Sequence, residues 1–179
     1  INRAGQHQIV QTASVTSSDR IVEQSLDEHL QVVLNRNSRL QYTATRRNRQ
    51  VQLTGEAYFE VRHSEQSPLL VKAEGTLIED IGTSFNVKAL PGEDLVQVYV
   101  DSGAVRFFTP SDKGIQLKAG ETGRYQISSG AFSLVETPDL NAISYKTKYF
   151  VFRNARLGEV IDALSGVYAE QIVLENPQL

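Results

Sequence analysis

Two carboxylates flank an aromatic ring in the run Gly55-Glu56-Ala57-Tyr58-Phe59-Glu60-Val61. Sugar-cleaving sites use that combination, one carboxyl moving a proton while its partner attacks or activates water, with a ring beneath the sugar. Strand spacing argues against a reaction. On a regular strand Glu56 and Glu60 face one side with their Cα atoms ~13 Å apart, whereas glycosidase carboxyl pairs stand about 5–9.5 Å apart. The simpler expectation places Ala57, Phe59 and Val61 inward and leaves Glu56, Tyr58 and Glu60 on a solvated face. A carbohydrate-binding module would use an exposed Tyr58 there as a stacking platform.

The rest of the chemical inventory is thin. The three histidines, His7, His29 and His63, are scattered, and none makes the i, i+4 pair of a helical metal site. Cysteine is absent, which excludes a disulfide framework, a thiolate nucleophile and cysteine-rich zinc sites. No nucleophile elbow, phosphate-binding loop or dinucleotide fingerprint occurs, and Ser102-Gly103 and Ser129-Gly130 read as turns. We expect no enzyme, no catalytic residue, no metal site and no cofactor. Arg46-Arg47-Asn48-Arg49 is the one basic cluster. It reads as a solvated loop, with contact to an acidic partner as the sharper alternative.

Composition bounds the class. The 179 residues include 40% hydrophobic and 22% charged side chains, ordinary globular usage, with a formal net charge of −3. No broad positive field exists to gather phosphates, so nucleic acid is not an expected partner. No stretch approaches the roughly 20 apolar residues of a membrane-spanning helix. The sequence opens at Ile1 and has no Met, so we expect a processed or excised piece whose anchor lies upstream.

The elements that would position these side chains are mostly strands. Residues 1–20 are polar and hold one short strand or a linker. From Arg20 to about Glu136, short runs of period two are broken by Gly, Pro, Asn and Asp. The pattern predicts strands at 30–34, 39–43, 49–53, 57–62, 69–73, 76–81, 84–89, 95–100, 104–108, 114–118 and 123–127, with 132–135 as a further one. This is a mainly β, antiparallel domain of about 11–13 short strands; a sandwich, a jelly roll and a solenoid-like roll all fit it. Three segments centred on Gly55, Gly103 and Gly120 share a strand, glycine turn, strand grammar.

The texture changes after Pro138, which predicts domains at 1–137 and 138–179. Tyr149-Phe-Val-Phe152 reads as a strand, Asn154 as a helix N-cap, and Leu157, Val160, Ile161, Leu164 and Tyr168 as the apolar seam of a helix. Gln171-Ile-Val-Leu174 then reads as a second strand, giving a small, truncated βαβ unit.

The runs Leu34-Asn-Arg-Asn-Ser-Arg-Leu-Gln-Tyr42 and Val51-Gln-Leu-Thr-Gly-Glu-Ala-Tyr-Phe-Glu-Val61 resemble the core of FecR-type proteins. Pro68-Leu-Leu-Val71, Ile81-Gly-Thr-Ser-Phe-Asn-Val87, Val98 to Val105 and Leu117-Lys-Ala-Gly-Glu121 follow in the family's order. Downstream, residues 149–177 are similar to the partial form of a short N-terminal domain shared by secretins and TonB-dependent transducers. The resemblance implies the periplasmic, signal-relaying region of a single-pass inner-membrane anti-sigma factor. Such a region senses an outer-membrane TonB-dependent transporter through that transporter's signalling domain. It controls an extracytoplasmic-function sigma factor through a cytoplasmic segment absent here, and meets the membrane only through a missing upstream helix. Strand addition at the edges of the small unit is the expected mode of contact, with Tyr149, Val151, Arg153, Ile172 and Leu174 as candidate partner-binding residues. The opposing class is an extracytoplasmic carbohydrate-binding or structural β-module.

Overall fold

A computed structural model of the chain describes residues 9–62, 68–80, 82–137, 139–168, 170 and 172–173. Two compact units emerge, Ile1–Pro138 and Asp139–Leu179.

Among the described residues the first unit holds thirteen strands. They are β1 (Ile9–Thr16), β2 (Val22–Asp27), β3 (Leu30–Leu34), β4 (Arg39–Thr45), β5 (Arg49–Val61), β6 (Leu69–Ala73) and β7 (Thr76–Asp80). β8 (Ser84–Ala89), β9 (Leu95–Ser102), β10 (Ala104–Phe108), β11 (Ile115–Lys118), β12 (Thr122–Gln126) and β13 (Ala131–Leu134) complete the unit. The mainly β class and the strand number match the sequence reading. β2 is the strand that reading lacks: of Val22-Glu-Gln-Ser-Leu-Asp27 only Leu26 is buried, so little apolar alternation marks it.

Pairing arranges these strands as two ladders that share β5. Sheet A runs β1-β4-β5-β6-β7-β10-β11. Sheet B runs β2-β3-β5-β8-β9-β12-β13. The chain alternates between them: β2–β3 lies in B, β4 and the first half of β5 in A, the second half of β5 in B, β6–β7 in A, β8–β9 in B, β10–β11 in A and β12–β13 in B. The topology is thus the roll among the expected alternatives. One pair departs from the antiparallel expectation, because β5 and β6 run parallel, Arg49 to Gln52 beside Leu69 to Lys72. The chain must cross from one sheet to the other between them, and a crossover brings it back in the same direction where a hairpin would reverse it.

The inner faces of both sheets form one apolar cluster that includes Leu40, Val51, Val71, Ile78 and Phe107 from A and Leu30, Val32, Phe59, Phe85 and Val98 from B. Phe59 stacks on Phe85 at 5.1 Å between ring centroids. Each such fully buried side chain contributes about 1.5–3 kcal/mol relative to exposure, which makes this core the main source of stability.

The three glycine segments correct the hairpin expectation. Gly55 lies inside β5, at φ +104°, where the strand leaves sheet A for sheet B. Gly103, at φ +77°, joins β9 of sheet B to β10 of sheet A, which do not pair with each other. Gly120 lies between β11 and β12, again in different sheets. The shared grammar therefore marks sheet-switching corners. A local sequence cannot distinguish a corner from a hairpin, because both need the left-handed backbone that glycine adopts without steric cost.

Corners stack on corners. A Cβ at Gly55 would meet Ser38 Oγ at 2.3 Å; that hydroxyl accepts the Glu56 N–H at 2.9 Å. The Ser38 N–H in turn donates to Ser17 Oγ at 3.1 Å. The crossings β1–β2, β3–β4 and the bend in β5 are thereby bonded side by side. On the opposite corner a Cβ at Gly103 would meet Thr83 Cγ2 at 2.6 Å. Buried Asp80 accepts both the Gly82 N–H, at 3.0 Å, and the Thr83 hydroxyl.

The second unit contains the short α1 (Ser144–Thr147) and the longer α2 (Leu157–Tyr168), which pack together. Helix α2 falls where the periodicity predicts. Its cap does not, because the helix starts after Arg156, whose N–H is accepted by Glu159 Oε2 at 2.9 Å in the reach-back half of a capping box. Tyr149–Phe152, expected as a strand, is irregular, and Ile172 and Val173 lie in no strand. Gln171 and Leu174 fall outside the described residues. Among the described residues the βαβ expectation thus yields its helix and no strand, since an isolated four-residue strand leaves its backbone groups unpaired and Tyr149–Phe152 has no strand partner among them.

Candidate partner-contact surface

The Glu56–Tyr58 constellation becomes part of the scaffold. On β5 and β8, Tyr58 sits beside Asn86. Glu56 Oε1 accepts the Asn86 amide and Oε2 the Asn35 amide, both at 2.8 Å. Both oxygens of this carboxylate are held by fixed donors, which orients it as an acceptor rather than as a proton carrier. Tyr58 is 1% exposed, and its hydroxyl donates to Asp101 Oδ2 at 2.6 Å. Burial, reinforced by that hydrogen bond, pushes its ionisation well above the usual tyrosine range. The expected solvated face and stacking platform are therefore both overturned at this position. A polar ring edge satisfied by Asp101 lets the ring lie buried although it points away from the main core.

The basic cluster divides. Arg46, Arg47 and Asn48 are exposed at the turn between β4 and β5. Arg49 is 5% exposed, with Nη1 3.7 Å from Asp27 Oδ2. The Tyr42 hydroxyl donates to the same oxygen, and the His29 N–H donates to Asp27 Oδ1 at 2.7 Å. Asp27 thus ties the β2–β3 hairpin of sheet B to β4 and β5 of sheet A. Nothing near Arg49 in sequence announces this, because the partner carboxylate belongs to the strand that periodicity did not reveal.

His29 is partly exposed beside Glu28, at 3.3 Å, while His7 and His63 lie outside the described residues. Among the described residues no group of three or more His, Asp and Glu side chains is placed to hold a metal ion. No helix among them is long and apolar enough to cross a membrane.

The partner-binding candidates lie in the second unit. Tyr149 is 70% exposed, Arg153 is exposed, and Ile172 and Val173 are exposed beyond α2. Val151 is half-buried, and both of its backbone groups are occupied. Its N–H donates to Asn141 Oδ1 at 2.8 Å, and its carbonyl accepts from Asn141 Nδ2 at 3.1 Å. The carboxamide of Asn141 thus takes the place of a neighbouring strand. Leu174 lies outside the described residues. The Phe150 ring centroid lies 5.9 Å from that of Phe152 and 6.1 Å from that of Tyr168 on the helix seam. Lys148 Nζ lies 5.8 Å from the Tyr168 ring centroid.

Fold and surface define a β-roll whose polar clusters are structural, followed by a small helical unit with exposed aromatic side chains. The model of the FecR protein family matches residues 12–106, more than half of the chain. The chain belongs to the FecR family. A crystal structure at 2.50 Å of a candidate anti-sigma factor from Parabacteroides distasonis ATCC 8503 is similar, with a TM-score of 0.71 and 24% identity over 94% of this chain and 80% of that one. A second structure described in the same terms, at 1.65 Å, gives a TM-score of 0.70 and 23% identity over 88% of this chain and 76% of that one. No curated protein matches.

Proposed function

We propose that this chain is the periplasmic part of a membrane-anchored anti-sigma factor, which relays the state of an outer-membrane TonB-dependent transporter to an extracytoplasmic-function sigma factor. The observation that supports the reading most is the FecR match across residues 12–106, which takes in β2 to β9 whole. The likeness in fold to two candidate anti-sigma factors agrees with it. In this reading the β-roll is the rigid body and the second unit makes the contact. Tyr149, Arg153 and Ile172 would meet the transporter's signalling domain directly. Val151 would join by strand addition only after Asn141 releases its backbone.

The decisive measurement is titration calorimetry of the chain against the signalling domain of a cognate TonB-dependent transporter. Saturable binding that disappears when residues 139–179 are removed supports the reading. Binding retained by the roll alone would move the contact to the first unit, and no binding by the intact chain would sink the transporter assignment.

A further inference from the structure

We propose that the second unit docks a protein surface with an apolar centre ringed by carboxylates, through a face built from Lys148, Phe152, Arg153, Arg156 and Tyr168. This deepens the contact reading above by assigning the partner's chemistry.

Charge distribution carries the argument. The whole sequence has 18 Lys and Arg against 21 Asp and Glu, yet residues 140–158 contain Lys146, Lys148, Arg153 and Arg156 and no acidic side chain. Arg153 and Arg156 are exposed, and neither guanidinium makes an ion pair with a described residue. Arg156 is bonded through its backbone, the N–H donating to Glu159 Oε2 at 2.9 Å and the carbonyl accepting from the Val160 N–H at 3.2 Å. Two arginines of the first unit do have carboxylate partners, Arg106 with Glu79 at 2.9 Å and Arg49 with Asp27 at 3.7 Å.

The same stretch of chain carries exposed apolar side chains. Phe152, Phe150 and Tyr168 form a continuous file of rings, with Lys148 over the far end. Phe152 is 36% and Tyr168 48% exposed, and Leu157, the first residue of α2, is 43% exposed. Aromatic and arginine side chains together are the usual anchors of protein interfaces, since both bury large areas with little entropy loss. A partner of like composition is excluded by charge. One with carboxylates around an apolar patch satisfies the guanidiniums and covers the rings.

Two other anionic classes fit less well. A phospholipid surface attracts clusters of 4–8 adjacent basic residues, whereas these cations are separated by exposed rings in a chain that is acidic as a whole. Nucleic acid is disfavoured by the same net charge.

Three probes test the face on the intact chain: a synthetic peptide alternating Glu and Phe, the transporter's signalling domain, and phosphatidylcholine vesicles containing a minority of phosphatidylglycerol. Each is titrated against the wild type, the R153E/R156E double variant, and R124E, which reverses an exposed arginine on β12. Equal melting temperatures check that all three fold. The expected result is saturable peptide binding that falls about tenfold in R153E/R156E, stays unchanged in R124E, and weakens severalfold between about 0.05 M and about 0.5 M salt. Peptide binding that is absent, or equal in wild type and R153E/R156E, overturns the inference even if the signalling domain binds. Vesicle binding lost in R153E/R156E, with the peptide ignored, reassigns the face to lipid and overturns it as well. A signalling domain that fails to bind while the peptide binds leaves this face standing and removes the transporter reading instead.

Discussion

The carboxamide of Asn141 grips the backbone of Val151 from both sides, its Oδ1 accepting the N–H at 2.8 Å and its Nδ2 donating to the carbonyl at 3.1 Å. One side chain thereby supplies to Val151 what a neighbouring strand would, in a segment, residues 149–152, that belongs to no ladder.

Replacing Asn141 with Ala should therefore loosen this segment selectively. Two hydrogen bonds to a half-buried backbone are lost, a cost of about 1–2 kcal/mol, felt as faster hydrogen exchange at the Val151 amide while strands such as β8 keep their protection. Unchanged exchange at Val151 would show that the bonds do not hold the segment.

Gly55→Ala and Gly75→Ala separate close approach from backbone conformation. Both residues have positive φ, +104° and +78°. A Cβ at Gly75 meets nothing within 4 Å, whereas at Gly55 it meets Ser38 at 2.3 Å. We expect Gly75→Ala to cost about 1–2 kcal/mol and Gly55→Ala about 2–5 kcal/mol, because Ser38 is packed under its own hydrogen bonds. Equal denaturant midpoints for the two variants would refute the stacked corner.

Tyr42 and Tyr58 give the fold an alkaline limit. Burial raises the ionisation of both well above the ordinary tyrosine range, with the hydrogen bonds to Asp27 and Asp101 adding to it. A raised folded value means that the stabilisation is complete below about pH 10, where the unfolded tyrosines keep their protons. It is lost as pH rises beyond that, because the unfolded chain ionises first. Denaturant midpoints should fall from about pH 10 upward, and a Y42F/Y58F variant should show a shallower fall; the same slope in both would place the titration elsewhere.

The Asp27 tie can be cut at either end. Asp27→Ala removes the carboxylate shared by Tyr42, Arg49 and the His29 N–H and should cost about 2–4 kcal/mol. Tyr42→Phe removes one donor and should cost about 1 kcal/mol. Thermal melts that rank the variants in the opposite order would mean that the ring hydroxyl, not the carboxylate, organises the cluster.

Which features were legible follows from the range over which each is determined. Period-two runs such as Leu69–Ala73 and Ala104–Phe108 name their strands because the inward faces are apolar residue by residue. Helix α2 is legible for the same reason at period 3.6. Gly55, Arg49 and Tyr58 were misjudged because what decides each one is distant in sequence: Ser38 beside the glycine, Asp27 beside the arginine, Asp101 at the phenol. Tyr149–Phe152 has a strand's side chains and, among the described residues, no strand to pair with. On the candidate contact surface, the exposure of Tyr149 and Arg153 is legible from residue type, whereas the hold of Asn141 on Val151 is not.

The alternation of hairpins between two sheets also sets how the roll bears load. Its first strand, β1, ends sheet A and its last, β13, ends sheet B, so tension applied through them acts first on the outermost pairs, β1–β4 and β12–β13. Backbone bonds loaded in that way open in sequence rather than all together, so the roll should peel one hairpin at a time from an end. Strand β5, shared by both ladders, would be the last to part.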